Sequence, residues 1–83
     1  MINESTGLHT LFDIAVSTLK EVDTGEIFIV KDLFRGFEWA RIPKRERTKL
    51  GSMFFAYANG DVGCAIIEPV GKTPQNQQKY KKL

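Results

Sequence analysis

One cysteine, Cys64, and one histidine, His9, are all the thiol and imidazole chemistry this chain holds. A single thiol excludes an internal disulfide. Two such residues, far apart in sequence, fall short of the ligand set of a structural zinc site. They also give no basis for a Ser/His/Asp or Cys/His catalytic arrangement. No apolar run approaches the ~18 residues of a membrane-spanning helix. The opening MINESTGLHT lacks a basic start followed by an apolar block, so the expectation is a cytoplasmic, reduced protein without a secretory signal. Internal repeats and low-complexity tracts are missing too. The 83 residues leave room for one small domain, and such a chain buries only about 60–65% of its unfolded surface. No metal or organic cofactor is expected, and an enzyme is the least favoured class.

What is present is charge, unevenly spread. The net charge is only +2, yet residues 1–30 carry Lys20 against five acids and residues 31–51 carry seven bases against Asp32, Glu38 and Glu46. Residues 52–70 add only Asp61 and Glu68, and residues 71–83 carry Lys72, Lys79, Lys81 and Lys82 with no acid. Two basic segments separated in sequence form one positive surface if the fold brings them together, which suits an anionic partner.

The periodicity predicts an α+β domain. Leu8, Leu11, Phe12, Ala15, Val16, Leu19 and Val22 recur at helical spacing and define a helix over about 5–22, with Ser5 or Thr6 as its cap. Turn residues at 23–26 lead into a β-branched run, a strand over about 26–30. A short helix is expected at 32–36, begun by Asp32 and ended by Gly36, with Leu33 and Phe34 facing inward. Residues 37–42 read as a non-helical link. A long helix follows over about 43–59, opened by Pro43 and stopped by Asn59-Gly60-Asp61. Leu50, Met53, Phe54, Tyr57 and Ala58 share its apolar face. A strand over about 62–68 makes Cys64 a small core residue. A wing loop over 69–76 and a polar edge strand over about 77–82 complete the chain. Helix, strand, short helix, helix and a two-stranded wing are the order of a winged helix-turn-helix, with residues 32–59 as the helix-turn-helix.

Two short motifs carry no weight. Gly71-Lys72-Thr73 resembles the end of a phosphate loop, but Ile66 stands where that loop needs a glycine. Gly60-Asp-Val-Gly63 resembles an RNA-clamping loop that joins two helices, whereas here a helix is followed by a strand-like run. His9 reads as an ordinary surface or boundary side chain.

The basic helix is the candidate site. In a helix-turn-helix the second helix presents its outer face and first turns to nucleic acid. Arg41, Lys44, Arg45 and Lys49 are the main expected phosphate contacts. Lys72, Lys79, Lys81 and Lys82 would continue the track across the wing, and Lys31 and Arg35 would add to it from the short helix. The plain alternative is a solvated helix face, the usual meaning of a charge run. The second basic block favours binding. Phe37, Phe55 and Tyr80 lie among these bases as candidates for stacking on unpaired bases, worth ~1–3 kcal/mol per base. Trp39 stands behind them, since a lone Trp in a small domain is more often packed.

The stretch GEIFIVKDLFRGFEWARIPKRERTKLGSMFF resembles the KDLF…G…W…I…R…LG…F pattern of a small family once classed as a domain of unknown function. Its members are encoded by phages and by staphylococcal cassette chromosome elements. The matching positions are Lys31, Asp32, Leu33, Phe34, Gly36, Trp39, Ile42, Arg47, Leu50, Gly51 and Phe54. The resemblance covers about residues 8–82 and implies a winged-helix fold that prefers single-stranded DNA and supports replication of the mobile element. Its motif positions are mostly architectural, so the contact residues above rest on charge and geometry alone. Replication proteins of the same element (helicase or polymerase) and a second copy of the chain are the expected partners, with no membrane. Two other readings remain: a repressor that binds duplex DNA, and a small inhibitor of a host protein with Phe37, Trp39 and Phe55 as its anchor patch.

Overall fold

The computed structural model describes residues 6–83. Three α-helices, α1 (Leu8–Thr18), α2 (Gly36–Arg41) and α3 (Lys44–Ala58), pack with an antiparallel sheet of β1 (Ile27–Phe28), β2 (Ile67–Lys72) and β3 (Gln78–Lys82). The sheet order is β1-β3-β2, so the last strand is central. Short 3-10 turns at Leu19–Glu21, Val30–Leu33 and Gly63–Ala65 join these elements. Among the described residues no helix is long and apolar enough to cross a membrane.

Helical spacing builds the core. Leu11, Ala15 and Leu19 on the α1 side meet Leu50, Phe54 and Ala58 of α3, and Phe28, Ile67 and Tyr80 close the sheet side. Leu33, Phe34 and Ile42 belong to the same buried cluster. Phe54 is fully buried and meets the Tyr80 ring edge-on at 5.1 Å, an arrangement favoured by the ring quadrupoles.

The first helix is shorter than the spacing predicts. Gly7, not Ser5 or Thr6, is its cap position and makes no side-chain cap bond of its own; Ser5 lies outside the described residues. The helix tightens to a 3-10 turn over Leu19–Glu21. The strand expected over 26–30 is reduced to Ile27–Phe28, and the expected helix at 32–36 is instead a 3-10 turn followed by α2. Asp32 acts inside that turn rather than before it: its Oδ2 accepts the Ile29 N–H at 3.0 Å. Gly36, read as a helix stop, is the first residue of α2. The supposed link has no breaker until Pro43, so it runs on as helix. Proline disfavours helical backbone in the residue before it, and Ile42 is accordingly extended (φ −80, ψ 123). Ile42 and the equally extended Pro43 (φ −57, ψ 144) together turn α2 into α3.

The run after α3 also departs from expectation. Val62–Ile66 is not a strand. Gly60, Cys64, Ala65 and Ile66 donate their N–H groups to carbonyls three or four residues back, so the chain stays coiled against the end of α3. A Cβ at Gly63 would run into the Tyr57 carbonyl, which fixes a glycine there. Cys64 is consequently exposed, not core. Pro69 and Gly71, read as loop residues, lie within β2. A strand at the sheet edge tolerates a proline, and Gly71 (φ +117) takes up an irregularity between Pro69 and Lys72. The hairpin tip is therefore short. Thr73 N–H donates to the Gln77 carbonyl at 2.8 Å, Gln77 N–H donates to Thr73 Oγ1 at 3.1 Å, and Asn76 takes the left-handed conformation (φ 65).

Candidate nucleic-acid interface

α3 and the β2–β3 hairpin do not close on each other. Between them, with the Val30–Leu33 turn as a third wall, lies an open groove of about 700 Å³. Lys31, Lys44, Arg47 and Lys72 line it, and among the described residues no Asp or Glu does. That run of cations contrasts with a whole chain that is nearly balanced, at 12 bases to 10 acids. The fold achieves this by turning nearby acids away. Asp32 is bound to the Ile29 amide. Glu46 lies 3.9 Å from both Arg45 and Lys49 on the flank of α3.

Along α3, Lys44, Thr48, Gly51 and Phe55 face the groove, their spacing of three and four residues placing them on one stripe. The adjoining stripe, about a quarter-turn round the helix, holds Leu50, Phe54 and Ala58 and is the core. One helix thus buries one stripe and offers the next. Phe55 is 45% exposed, an apolar ring at the open face of a charged groove. Gly51 sits mid-helix, where glycine costs roughly 0.5–1 kcal/mol relative to alanine.

Arg47 has no place among the expected contacts, yet it organises this site. Its Nε donates to the Ile42 carbonyl at 2.9 Å, an η-nitrogen donates to the Ala40 carbonyl at 3.5 Å, and its guanidinium lies over the Trp39 ring at 5.5 Å. It therefore locks the α2–α3 corner while leaving positive charge at the groove wall. Trp39 also packs against Phe34, with ring centroids 5.7 Å apart. It is half-buried and structural as well as groove-lining. The matched pattern in the sequence already contained Arg47, but its reach back to Ile42 depends on the α2–α3 corner and is not written in the spacing.

The remaining expected contacts are dispersed. Lys31, Lys44 and Lys72 meet in the groove. Arg45 and Lys49 are exposed on the adjacent flank of α3. Arg35 is exposed at the start of α2. Phe37 is 50% exposed, and Arg41 stacks over it at 5.0 Å, one helical turn on. Lys79 and Lys81 alternate with Tyr80 along β3, so they belong to the outer face of the sheet. There Lys81 is registered with Glu68 and Ile27 on the neighbouring strands.

Two expected contacts are overturned. Tyr80 is not available for stacking: it is 1% exposed, against Phe28 and Phe54. As the middle residue of the central strand it points under α3, and burial pushes its phenol up to about 12. Lys82 does not extend the positive track. Its Nζ donates to the Leu19 carbonyl at 2.8 Å and to the Val22 carbonyl at 3.0 Å. These carbonyls end the first helical segment, where the backbone is short of donors and a cation is favoured.

No curated protein and no solved structure matches this chain. Residues 13–82 match the model of a family described as a domain of unknown function, DUF1413. That match takes in α2, α3, the hairpin and the groove between them, and the chain belongs to this family.

Proposed function

We propose that this protein is a non-enzymatic nucleic-acid-binding domain whose preferred ligand is single-stranded DNA. The observation that carries the reading is the groove between α3 and the hairpin: among the described residues it is lined by four basic side chains, no acid, and an exposed phenylalanine. A phosphodiester chain supplies the anion that such a groove lacks, and binding gains free energy as condensed counterions are released. The α2–α3 corner then serves as a helix-turn-helix, and the β2–β3 hairpin as its wing. A helix that reads duplex DNA offers donors and acceptors to base edges. Here the groove-facing stripe adds the Phe55 ring to Lys44 and Thr48, and an apolar ring there suits a base that has left its pair. The proposed role extends to replication of a mobile element, which is what the resemblance of the KDLF…G…W…I…R…LG…F pattern implies.

A titration against an unstructured oligonucleotide and against a duplex of the same sequence, each at two salt concentrations, tests this. The single strand should bind more tightly, with affinity falling steeply as salt rises. Tighter duplex binding would replace the reading with that of a repressor. Failure to bind either would favour a protein inhibitor.

Phe55→Ala separates stacking from charge. It should weaken single-strand binding by about 1–3 kcal/mol and leave the salt dependence and the melting temperature nearly unchanged. A large drop in melting temperature would show that the ring is part of the core after all.

A further inference from the structure

Gly51 is a glycine the fold itself does not require. It lies within α3 with seven helical residues on either side, at a position where glycine weakens a helix. Its backbone dihedral is not in the left-handed region, and a Cβ added there would meet no atom within 4 Å. Gly63 shows the contrast, since a Cβ there would strike the Tyr57 carbonyl. Among the described residues nothing therefore accounts for the missing side chain at Gly51. What lies in front of it is the groove, with Lys44 and Thr48 before it and Phe55 one turn after it on the same stripe.

We infer that Gly51 is the point of closest approach between α3 and the bound strand, with the sugar-phosphate chain passing directly over the helix backbone between the Lys44 cation and the Phe55 ring. The inference rests on the single-strand reading above and adds to it the path of the ligand. Lys44 and Phe55 are eleven residues apart, or ~16 Å along the helix, so a strand that reaches both must cross the intervening turns. A side chain at residue 51 would lift the strand away from both at once. Helix stability is thus given up for access at one position.

The test uses Gly51→Ala and Gly51→Leu in the full chain. Both residues are better helix formers than glycine and differ mainly in bulk. Both should raise the melting temperature by a few degrees. Affinity for an unstructured oligonucleotide should fall about tenfold with alanine, a change of about 1.4 kcal/mol, and further with leucine. A gain in stability with unaltered affinity would overturn the inference while leaving single-strand binding in place. Equal losses for the two variants would overturn it in favour of helix flexibility, because bulk would then be irrelevant. Lost binding together with a changed oligomeric state on gel filtration would overturn it by placing a second copy over Gly51. If the native chain binds no oligonucleotide, the functional reading fails, and this inference with it.

Discussion

Replacing Lys44 and Lys72 together by glutamate lowers the affinity for an unpaired oligonucleotide by on the order of a hundredfold and flattens its salt dependence. The two lysines come from α3 and β2, 28 positions apart in sequence, and meet only in the groove. Each phosphate contact on a single strand contributes ~0.7 to the slope of log affinity against log salt, so losing two reduces it by about 1.4. The melting temperature should hardly move, because both side chains are exposed and neither takes part in the core. The comparison that isolates the groove is the same double reversal at Lys79 and Lys81, on the outer face of the sheet. Equal losses from both pairs would mean that the protein attracts DNA by its overall charge and not by the groove.

Tyr80→Ala, by contrast, should unfold much of the population. The side chain is among the largest fully buried ones, and removing a buried aromatic costs about 3–5 kcal/mol. A small domain holds only ~5–15 kcal/mol in all, so circular dichroism at 37 °C should register the loss directly. Tyr80→Phe keeps the packing against Phe28 and Phe54 and should stay folded. It also tests the buried phenol. Folding raises its pKa from 10.0 to about 12, so the folded state holds the proton more tightly than the unfolded chain does. That contribution is fully present below pH 10 and declines as pH rises from 10 towards 12. Tyr80→Phe removes this part of the alkaline loss. A stable Tyr80→Ala variant with impaired DNA binding would instead return Tyr80 to the stacking surface.

These two experiments divide the lysines and rings that the sequence alone could not separate. The C-terminal QQKYKKL shows this most plainly. In the sequence it is an aromatic among lysines, and exposure of all of them is the natural reading. In the structure one residue is core, one lysine binds the carbonyls that end the first helical segment, and two face outward from the sheet. A strand has a side-chain period of two, so which residues face in is set by its register with β1 and β2. That register depends on residues fifty positions away and on a bulge at Gly71. None of this is written in the local spacing.

Proline and glycine misled for a related reason. Pro69 is acceptable in β2 only because that strand is at the edge, and Gly36 begins a helix only because the chain ahead has no breaker before Pro43. Cys64 followed an apolar pattern that suits a strand, but the close approach of Gly63 to α3 turned the segment outward.

The sequence by itself determined the α+β class, the apolar stripes of α1 and α3, the burial of Leu33 and Phe34, and the separation of charge into two basic blocks; it marked Phe37 and Phe55 as candidates whose exposure the structure decided. Helical periodicity is local: contacts three and four residues apart fix which face is apolar, so a stretch of fifteen residues carries its own answer. The tertiary structure alone decided that Lys72 joins Lys31 and Lys44, that Arg47 holds the corner beside them, and that Tyr80 and Lys82 are withdrawn from the surface. Those outcomes depend on strand register and on how the hairpin folds over α3, both of which are set by contacts between distant parts of the chain.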